Sequence, residues 1–198
     1  MIDFKGNAKQ KSDDDILEVA IDLGVPYAAF RAVIEIEAAG NGFDQAGRPK
    51  ALFERHIFFR QLRDKPDLQA QAVEAKLAYA VWRTLPYPKG SDAVYEEITR
   101  ACDIDQTAAL MSTSWGLGQI MGSNYKLAGC DSVQTMVAEA AESELNQLFQ
   151  MAHFIKSAGL RDELERLDWA GFARGYNGPG YAANKYDTKL AAKYEMFA

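Results

Sequence analysis

Two carboxylates, Glu37 and Glu54, are the residues whose types and positions best suit acid–base chemistry. The first lies near the end of a predicted helix over residues 26–39, on which Tyr27, Phe30 and Ile34 form an apolar stripe at spacings of three and four. Glu37 follows three residues later and continues this stripe. A carboxylate there is desolvated and also faces the negative end of the helix dipole, so we expect its pKa to be raised.

The neighbouring Glu35 has a different predicted environment. At 3.6 residues per turn it lies about 200° around the helix from Glu37. Arg31 precedes Glu35 by four residues, the spacing of a solvated ion pair. The acid function is therefore assigned to Glu37. The alternative is that the Glu37 carboxylate turns to solvent at the helix end.

Glu54 belongs to an alternating segment, residues 49–57, for which a short hairpin is predicted, with a helix starting near Arg55 as the alternative. Hydrolysis of a glycosidic bond uses one protonated carboxyl group and usually a second carboxylate that activates water or attacks the sugar. Glu54 is the candidate for that second group. The alternative is a salt bridge from Glu54 to Arg48 or Arg55.

Two further segments contain residue types suited to a carbohydrate groove. In residues 114–122, glycines permit close approach of the backbone to a ligand, and Trp115 is able to stack on a sugar ring beside Gln119. Close packing around small residues is the alternative for this segment. In residues 176–181, Asn177 lies between Tyr176 and Tyr181 at a predicted helix stop. The two histidines, His56 and His153, are assigned structural roles.

The composition excludes several classes of function. With 198 residues, of which 48% are hydrophobic and 25% charged, one domain over residues 1–198 is expected, with residues 1–11 as a candidate flexible extension.

The net charge of −6 disfavours a nucleic-acid partner. Cys102 and Cys130 are far apart without clustered histidines, so we expect two free thiols rather than one disulfide, and no metal or cofactor. No apolar run suits a membrane span or a signal peptide.

The spacing of apolar residues and helix caps predicts a mainly α-helical fold with seven to ten helices and at most one small β-hairpin beside the cleft. Ser12 and the aspartates after it are typical of a helix start, and Gly24 of a helix end. The predicted helices cover residues 13–23, 26–39, 58–63, 66–82, 94–111, 131–157 as one or two helices, 160–167, 168–176 and 181–196. Residues 85–90 are predicted to form a loop.

Four segments in order resemble the N-acetylmuramidase domain of bacteriophage endolysins. They are EAAGNGF from Glu37, GRPKALFERH from Gly47, SWGLGQIMGSNY from Ser114 and ARGYNGPGY from Ala173. Their order and spacing match from about residue 12 to the C-terminus. The pattern is also remotely similar to soluble lytic transglycosylases and goose-type lysozymes, which pair a Glu at a helix end with a G-x-x-Q-[IV]-M segment and a Tyr-Asn motif.

The resemblance implies a lysozyme-like fold that cleaves the β-1,4 bond between N-acetylmuramic acid and N-acetylglucosamine. Glu37 matches the catalytic acid of the family and Glu54 its second important carboxylate. The implied substrate-binding residues are Ser114, Trp115, Gln119, Tyr176, Asn177 and Tyr181. The family often has Ser at the positions of Ala38 and Ala39 and a bulkier residue at that of Gly118, so contacts from these positions are not carried over.

The resemblance also implies partners and a location. The substrate is the glycan strand of peptidoglycan, and the chain is expected to be a monomer. Many relatives carry a separate wall-binding domain, for which 198 residues are expected to leave no room. Because no export signal is recognised, we expect the enzyme to stay in the host cytoplasm until a holin opens the membrane. Two rival hypotheses remain. A lytic transglycosylase uses one acid and forms 1,6-anhydro ends without water, and a non-catalytic module binds peptidoglycan without turnover.

Overall fold

A computed structural model describes residues 3–38 and 41–198, and in these residues helices predominate. The α-helices are α1 Asp13–Leu23, α2 Tyr27–Ala38, α3 Arg55–Gln61, α4 Pro66–Glu74, α5 Ser91–Met111, α6 Val133–Glu142, α7 Glu144–Ser157, α8 Arg161–Glu165, α9 Trp169–Asn177 and α10 Tyr186–Tyr194. Short 3₁₀ helices cover Gly122–Asn124 and Pro179–Asn184. The strands are β1 Ala51–Phe53, β2 Thr113–Trp115 and β3 Ile120–Met121. The predicted end of α2 at Ala39 and Gly40 lies outside the described residues.

The start of the helical domain follows the local sequence. The Ser12 side chain accepts a hydrogen bond from the Asp15 backbone N–H, and the Asp15 carboxylate accepts one from the Ser12 backbone, which completes a capping box. Gly24 ends α1 in the left-handed region at φ 73°. Both boundaries of α1 are therefore as predicted.

Helix α4 ends earlier than predicted, at Glu74 rather than near Trp82. Lys76 adopts a left-handed φ of 61°, and the Leu77 N–H donates to the Ala72 carbonyl at 2.9 Å, the pattern of a Schellman ending. Leu77 is 1% exposed, so its burial in the core stabilises this ending. The chain from Tyr79 to Gly90 then forms a long connection to α5.

The predicted local hairpin forms only over residues 42–50, where Phe43 and Pro49 form an isolated antiparallel bridge and the Lys50 N–H donates to the Gly42 carbonyl at 2.7 Å. The extended segment that leads to Glu54 is not part of this hairpin. It is limited to β1, which pairs antiparallel with β2, and β2 pairs antiparallel with β3 in a three-stranded sheet of order β1-β2-β3. Helix α3 begins immediately afterwards at Arg55, the alternative that the sequence allowed. The partner of β1 lies about sixty residues later in the chain, so local alternation contained no information about this pairing.

Residues 3–11 are not a flexible extension, contrary to the expectation. Lys9 forms a parallel bridge with Ser143, and the Ala8 N–H donates to the Ala141 carbonyl at 3.1 Å. Phe4 is 7% exposed and stacks on Trp115 with ring centroids 5.8 Å apart. This segment therefore packs against the hydrophobic core.

Helix α2 is central to the site because it packs against both α1 and α10. Its buried side is formed by Phe30, Val33 and Ile34, each fully buried. Glu35 faces away from this side and is 3.3 Å from Arg31, the predicted ion pair. Among the described helices, none is long and apolar enough to span a membrane.

Candidate active site

Glu37 lies in the last turn of α2 and is held by a residue from the other end of the chain. The Nδ2 amide of Asn177, at the end of α9, donates to the Glu37 Oε1 atom at 2.9 Å. Burial raises the pKa of Glu37, and the hydrogen bond from Asn177 opposes this only in part. The carboxyl group is therefore not turned freely into solvent, and its pKa is shifted in the predicted direction.

A cleft of about 530 Å³ opens in front of Glu37. The residues that line it include Glu37, Asp44, Lys50, Ala51, Ser91 and Gln119. A second cavity of about 620 Å³ shares Asp44, Lys50, Gly90 and Ser91 with the first, so the two adjoin. Together they form one continuous groove beside Glu37.

Two tyrosines lie close enough to Glu37 to respond to its charge. The Tyr176 hydroxyl donates to the Gly118 carbonyl at 3.0 Å, and burial, together with the negative charge of Glu37, raises the pKa of Tyr176. Burial and the same charge raise the pKa of Tyr186 on α10. Tyr186 was not predicted as a site residue, since a Tyr at the start of a helix has no distinguishing spacing.

Gln119 lies in the tight turn between β2 and β3, where its φ is 45°. Its Nε2 donates to the Gly116 carbonyl at 2.9 Å and the Lys50 carbonyl at 3.3 Å, while its Oε1 accepts from the Ser114 hydroxyl at 3.1 Å. Gln119 therefore lies in the cleft as expected. Ser114 is only 6% exposed, and it supports Gln119 rather than facing the groove.

Trp115 was predicted to stack on a sugar ring, and this prediction is wrong. Its side chain is 2% exposed, its Nε1 donates to the Leu110 carbonyl at 3.1 Å, and its ring packs against Phe4 and Tyr95. A core position between the N-terminal segment and α5 leaves no face for a ligand.

The glycines around Gln119 serve close packing. A Cβ on Gly118 would lie 2.4 Å from Met151 Cγ, and one on Gly122 would lie 2.1 Å from the Leu110 carbonyl oxygen. Packing around small residues was the alternative that the sequence left open, and it describes these two positions. Tyr181 lies in the 3₁₀ helix Pro179–Asn184, partly buried against the core, outside the set of described residues that line either cavity.

Glu54 faces a different environment from Glu37. Its Oε2 atom accepts from the Tyr87 hydroxyl at 2.7 Å and is 3.2 Å from His56 Nδ1. Glu54 lines a small cavity with His56, Tyr79 and Tyr87, and the described lining of that cavity does not include Glu37. The salt bridge that the sequence allowed as an alternative is not formed, because Arg48 pairs with Asp44 and Asp92, and Arg55 with Glu97.

Asp44 is a second carboxylate in the Glu37 cleft, and the sequence did not single it out as a candidate site residue. Its Oδ1 accepts from the backbone N–H groups of Ala46 and Arg48, each at 2.9 Å, and its Oδ2 accepts from Arg48 Nε at 2.8 Å and from Ser91. Burial would raise the pKa of Asp44, but the hydrogen bonds from Ser91 and Arg48 lower it. An ionised group with every lone pair occupied suits loop structure better than proton transfer.

Comparisons with known proteins agree with this geometry. A family model described as N-acetylmuramidase matches residues 26–198. The crystal structure of the Burkholderia AP3 phage endolysin superposes with a TM-score of 0.86 and 37% sequence identity, covering 96% of this chain and 72% of that chain. No curated protein matches. The expected mainly helical, lysozyme-like fold is confirmed, and the chain belongs to the N-acetylmuramidase family.

Proposed function

We propose that this protein is a peptidoglycan hydrolase that cleaves the β-1,4 bond between N-acetylmuramic acid and N-acetylglucosamine, with Glu37 as the general acid. One observation supports this most strongly: a carboxyl group whose pKa is raised by burial lies on an open groove and is oriented by Asn177. A raised pKa keeps a proton available for the glycosidic oxygen near neutral pH.

In the proposed reaction Glu37 donates its proton to the leaving oxygen while the sugar develops positive charge. Asn177 fixes the carboxyl orientation, and its hydrogen bond stabilises the carboxylate that remains after proton transfer. Gln119 lines the cleft beside Glu37 and is the proposed contact for the sugar substituents. Tyr176 supports the β2–β3 turn from behind through the Gly118 carbonyl.

The role of a second carboxylate distinguishes hydrolysis from transglycosylation. Water activation requires a carboxylate that faces the same groove as the acid. Glu54 matches the family motif, but its contacts with Tyr87 and His56 favour a supporting role, and Asp44 has no free lone pair. These contacts favour a second candidate function, a lytic transglycosylase, in which a single acid forms a 1,6-anhydro end.

Replacing Glu37 by Gln tests the acid. We expect Glu37→Gln to lower the release of muropeptides from purified sacculi by about 10² to 10⁴-fold, the usual contribution of general acid catalysis. Glu35→Gln is the matched control on the same helix and should retain near-full activity. Full activity in Glu37→Gln would refute the assignment, and sacculus binding without any release by the wild type would instead indicate a non-catalytic module.

Mass spectrometry of the released muropeptides separates the two catalytic routes. Hydrolysis adds a water molecule and leaves a reducing end, whereas transglycosylation leaves a 1,6-anhydro end that is lighter by one water. Glu54→Gln should be measured in the same assay. A hydrolytic product that disappears in Glu54→Gln with the acid intact would support direct water activation by Glu54.

The similarity to a phage endolysin supports a role in host cell lysis. We propose that a monomer acts from inside the host once a holin opens the inner membrane. Purified protein should clear chloroform-permeabilised Gram-negative cells but not intact ones. Clearing of intact cells at the same rate would contradict the need for a permeabilising partner.

A further inference from the structure

The connection from Tyr79 to Gly90 exposes large apolar side chains in a short stretch. Val81 is 70% exposed, Trp82 54% and Leu85 38%. Apolar side chains clustered on one exposed segment mark interaction sites more often than isolated ones do. None of these three residues is used by the proposed acid mechanism.

This segment is fixed to the body of the protein by polar contacts. Arg55, 9% exposed, donates from its Nη1 to the carbonyl of Pro86 at 3.0 Å, and Tyr87 donates to Glu54 at 2.7 Å. The indole Nε1 of Trp82 donates to the Tyr87 hydroxyl at 3.2 Å. The exposed indole is therefore linked to Glu54 through one intermediate hydroxyl.

A cation further orients the indole. The Arg83 guanidinium lies 4.2 Å from the centroid of the Trp82 ring, within the range of a cation–π contact. More than half of Trp82 nevertheless remains exposed. A rigid, partly exposed aromatic ring loses little conformational entropy when a flat apolar surface, such as the C–H face of a sugar ring, stacks on it.

The same segment continues into the Glu37 groove. At its end, Gly90 and the following Ser91 line both cavities of that groove, while Leu85 and Tyr87 line the small cavity around Glu54. The segment that carries Trp82 thus lines the cavity around Glu54 and then continues into the cleft of the acid. A linear glycan bound in the groove is the ligand whose length and repeated rings suit this arrangement.

We propose that residues 79–90 form an accessory carbohydrate-binding wall, on which Trp82 stacks against a sugar ring remote from the cleaved bond, and that Glu54 is a positioning residue that anchors this wall through Tyr87. The proposal rests on the proposed function, because the bound polymer is the same glycan strand. It also accounts for the contacts of Glu54 without placing that residue at the reacting atoms.

Binding is tested in the Glu37→Gln background with a peptide-free β-1,4-linked N-acetylglucosamine hexamer as the probe. Titration should produce a saturable change in tryptophan fluorescence. That change should be lost in Trp82→Phe, which keeps an aromatic platform, and kept in Trp169→Phe. By calorimetry, Trp82→Ala should weaken binding by about 5 to 10-fold, as expected for one aromatic contact. A persisting fluorescence change in Trp82→Phe, or unchanged affinity in Trp82→Ala, would overturn the proposal.

The anchor is tested by turnover of sacculi with Glu37 intact. Glu54→Ala should raise KM about 5 to 10-fold, the change also expected for Trp82→Ala, with kcat within about threefold. Glu54→Gln keeps an oxygen that accepts from Tyr87 and should restore KM. A loss of kcat in Glu54→Gln comparable with that in Glu37→Gln would overturn the anchoring role.

Two further outcomes are distinguishable. If Trp82→Ala reduced binding to vesicles of phosphatidylethanolamine and phosphatidylglycerol while hexamer affinity stayed unchanged, the segment would be a membrane contact and the proposal would be wrong. Full activity in Glu37→Gln would refute the role of Glu37 as the acid. Because hexamer binding is measured without turnover, the Trp82 variants would still show whether residues 79–90 bind the glycan.

Discussion

At the scale of single residues, Glu37 combines function with a cost in stability. Burial raises its pKa in the folded state, so the folded protein binds the proton more tightly than the unfolded chain does. The resulting stabilisation is complete below the unfolded pKa and is lost as pH rises through the folded pKa. Desolvation of the Glu37 carboxylate is thus a source of instability above the unfolded pKa that is retained for proton donation.

Glu37→Gln should therefore be more stable than the wild type at pH 7, with the difference shrinking towards pH 4, where both states of the wild type become protonated. Thermal unfolding at the two pH values measures this. Glu35→Gln, which loses only the ion pair with Arg31, should lose about 0.5 kcal/mol or less. A Glu37→Gln variant less stable than the wild type at pH 7 would contradict the desolvation argument.

The Asn177 contact sets the pH range of the acid. Its amide donates to the carboxylate form of Glu37 and lowers the pKa, so Asn177→Ala should raise the pKa further. Since the active form is protonated, the alkaline limb of the pH–activity profile should move to higher pH. Asn184→Ala, an exposed change on the neighbouring 3₁₀ helix, is the control. A limb that moves to lower pH would contradict this prediction, because it would mean that Asn177 raises the pKa of Glu37.

At the scale of elements, the 3₁₀ helix after β3 begins at Gly122, where close packing leaves no room for a side chain. Gly122→Ala places a methyl group 2.1 Å from the backbone carbonyl oxygen of Leu110, which cannot rotate away, and should cost about 1 to 3 kcal/mol of unfolding free energy. Gly180→Ala is the control, because nothing lies within 4 Å of its Cβ position. Chemical denaturation of both variants measures the difference, and equal stability would contradict the packing role.

At the scale of the whole molecule, Glu144 joins three distant parts of the chain. This fully buried carboxylate accepts hydrogen bonds from the Gly42 N–H, in the segment after α2, and from the Lys11 N–H, and it pairs with Lys11 Nζ at 3.2 Å. The N-terminal segment, the segment after α2 and α7 are therefore joined by the carboxylate of Glu144. A buried charge destabilises the folded state unless it is paired, so the loss of one of these partners should lower the free energy of unfolding.

Lys11→Met keeps most of the aliphatic stem but removes the cation, and should lower the free energy of unfolding by about 3 kcal/mol. Arg63→Met, at the exposed pair with Asp64, should change it by less than about 1 kcal/mol. Denaturant titrations compare the two. A loss in Lys11→Met no larger than in Arg63→Met would mean that the Glu144 charge is satisfied by its other donors.

Local sequence determined much of this protein. The spacing of Tyr27, Phe30 and Ile34 singled out Glu37 over Glu35, because helical periodicity is a property of neighbouring residues and fixes which side of a helix is buried. The same local rules located the capping box at Ser12 and the predominance of helices. The order of four short motifs indicated the family, which the family match confirmed.

Only the tertiary structure decided which of the remaining residues share a surface. Trp115 became a core residue because Phe4, more than a hundred positions earlier, packs on it. Glu54 acquired Tyr87 as its partner, and β1 paired with β2, through contacts between segments far apart in the chain. Such contacts depend on how buried surfaces fit together, and a window of neighbouring residues contains no information about them.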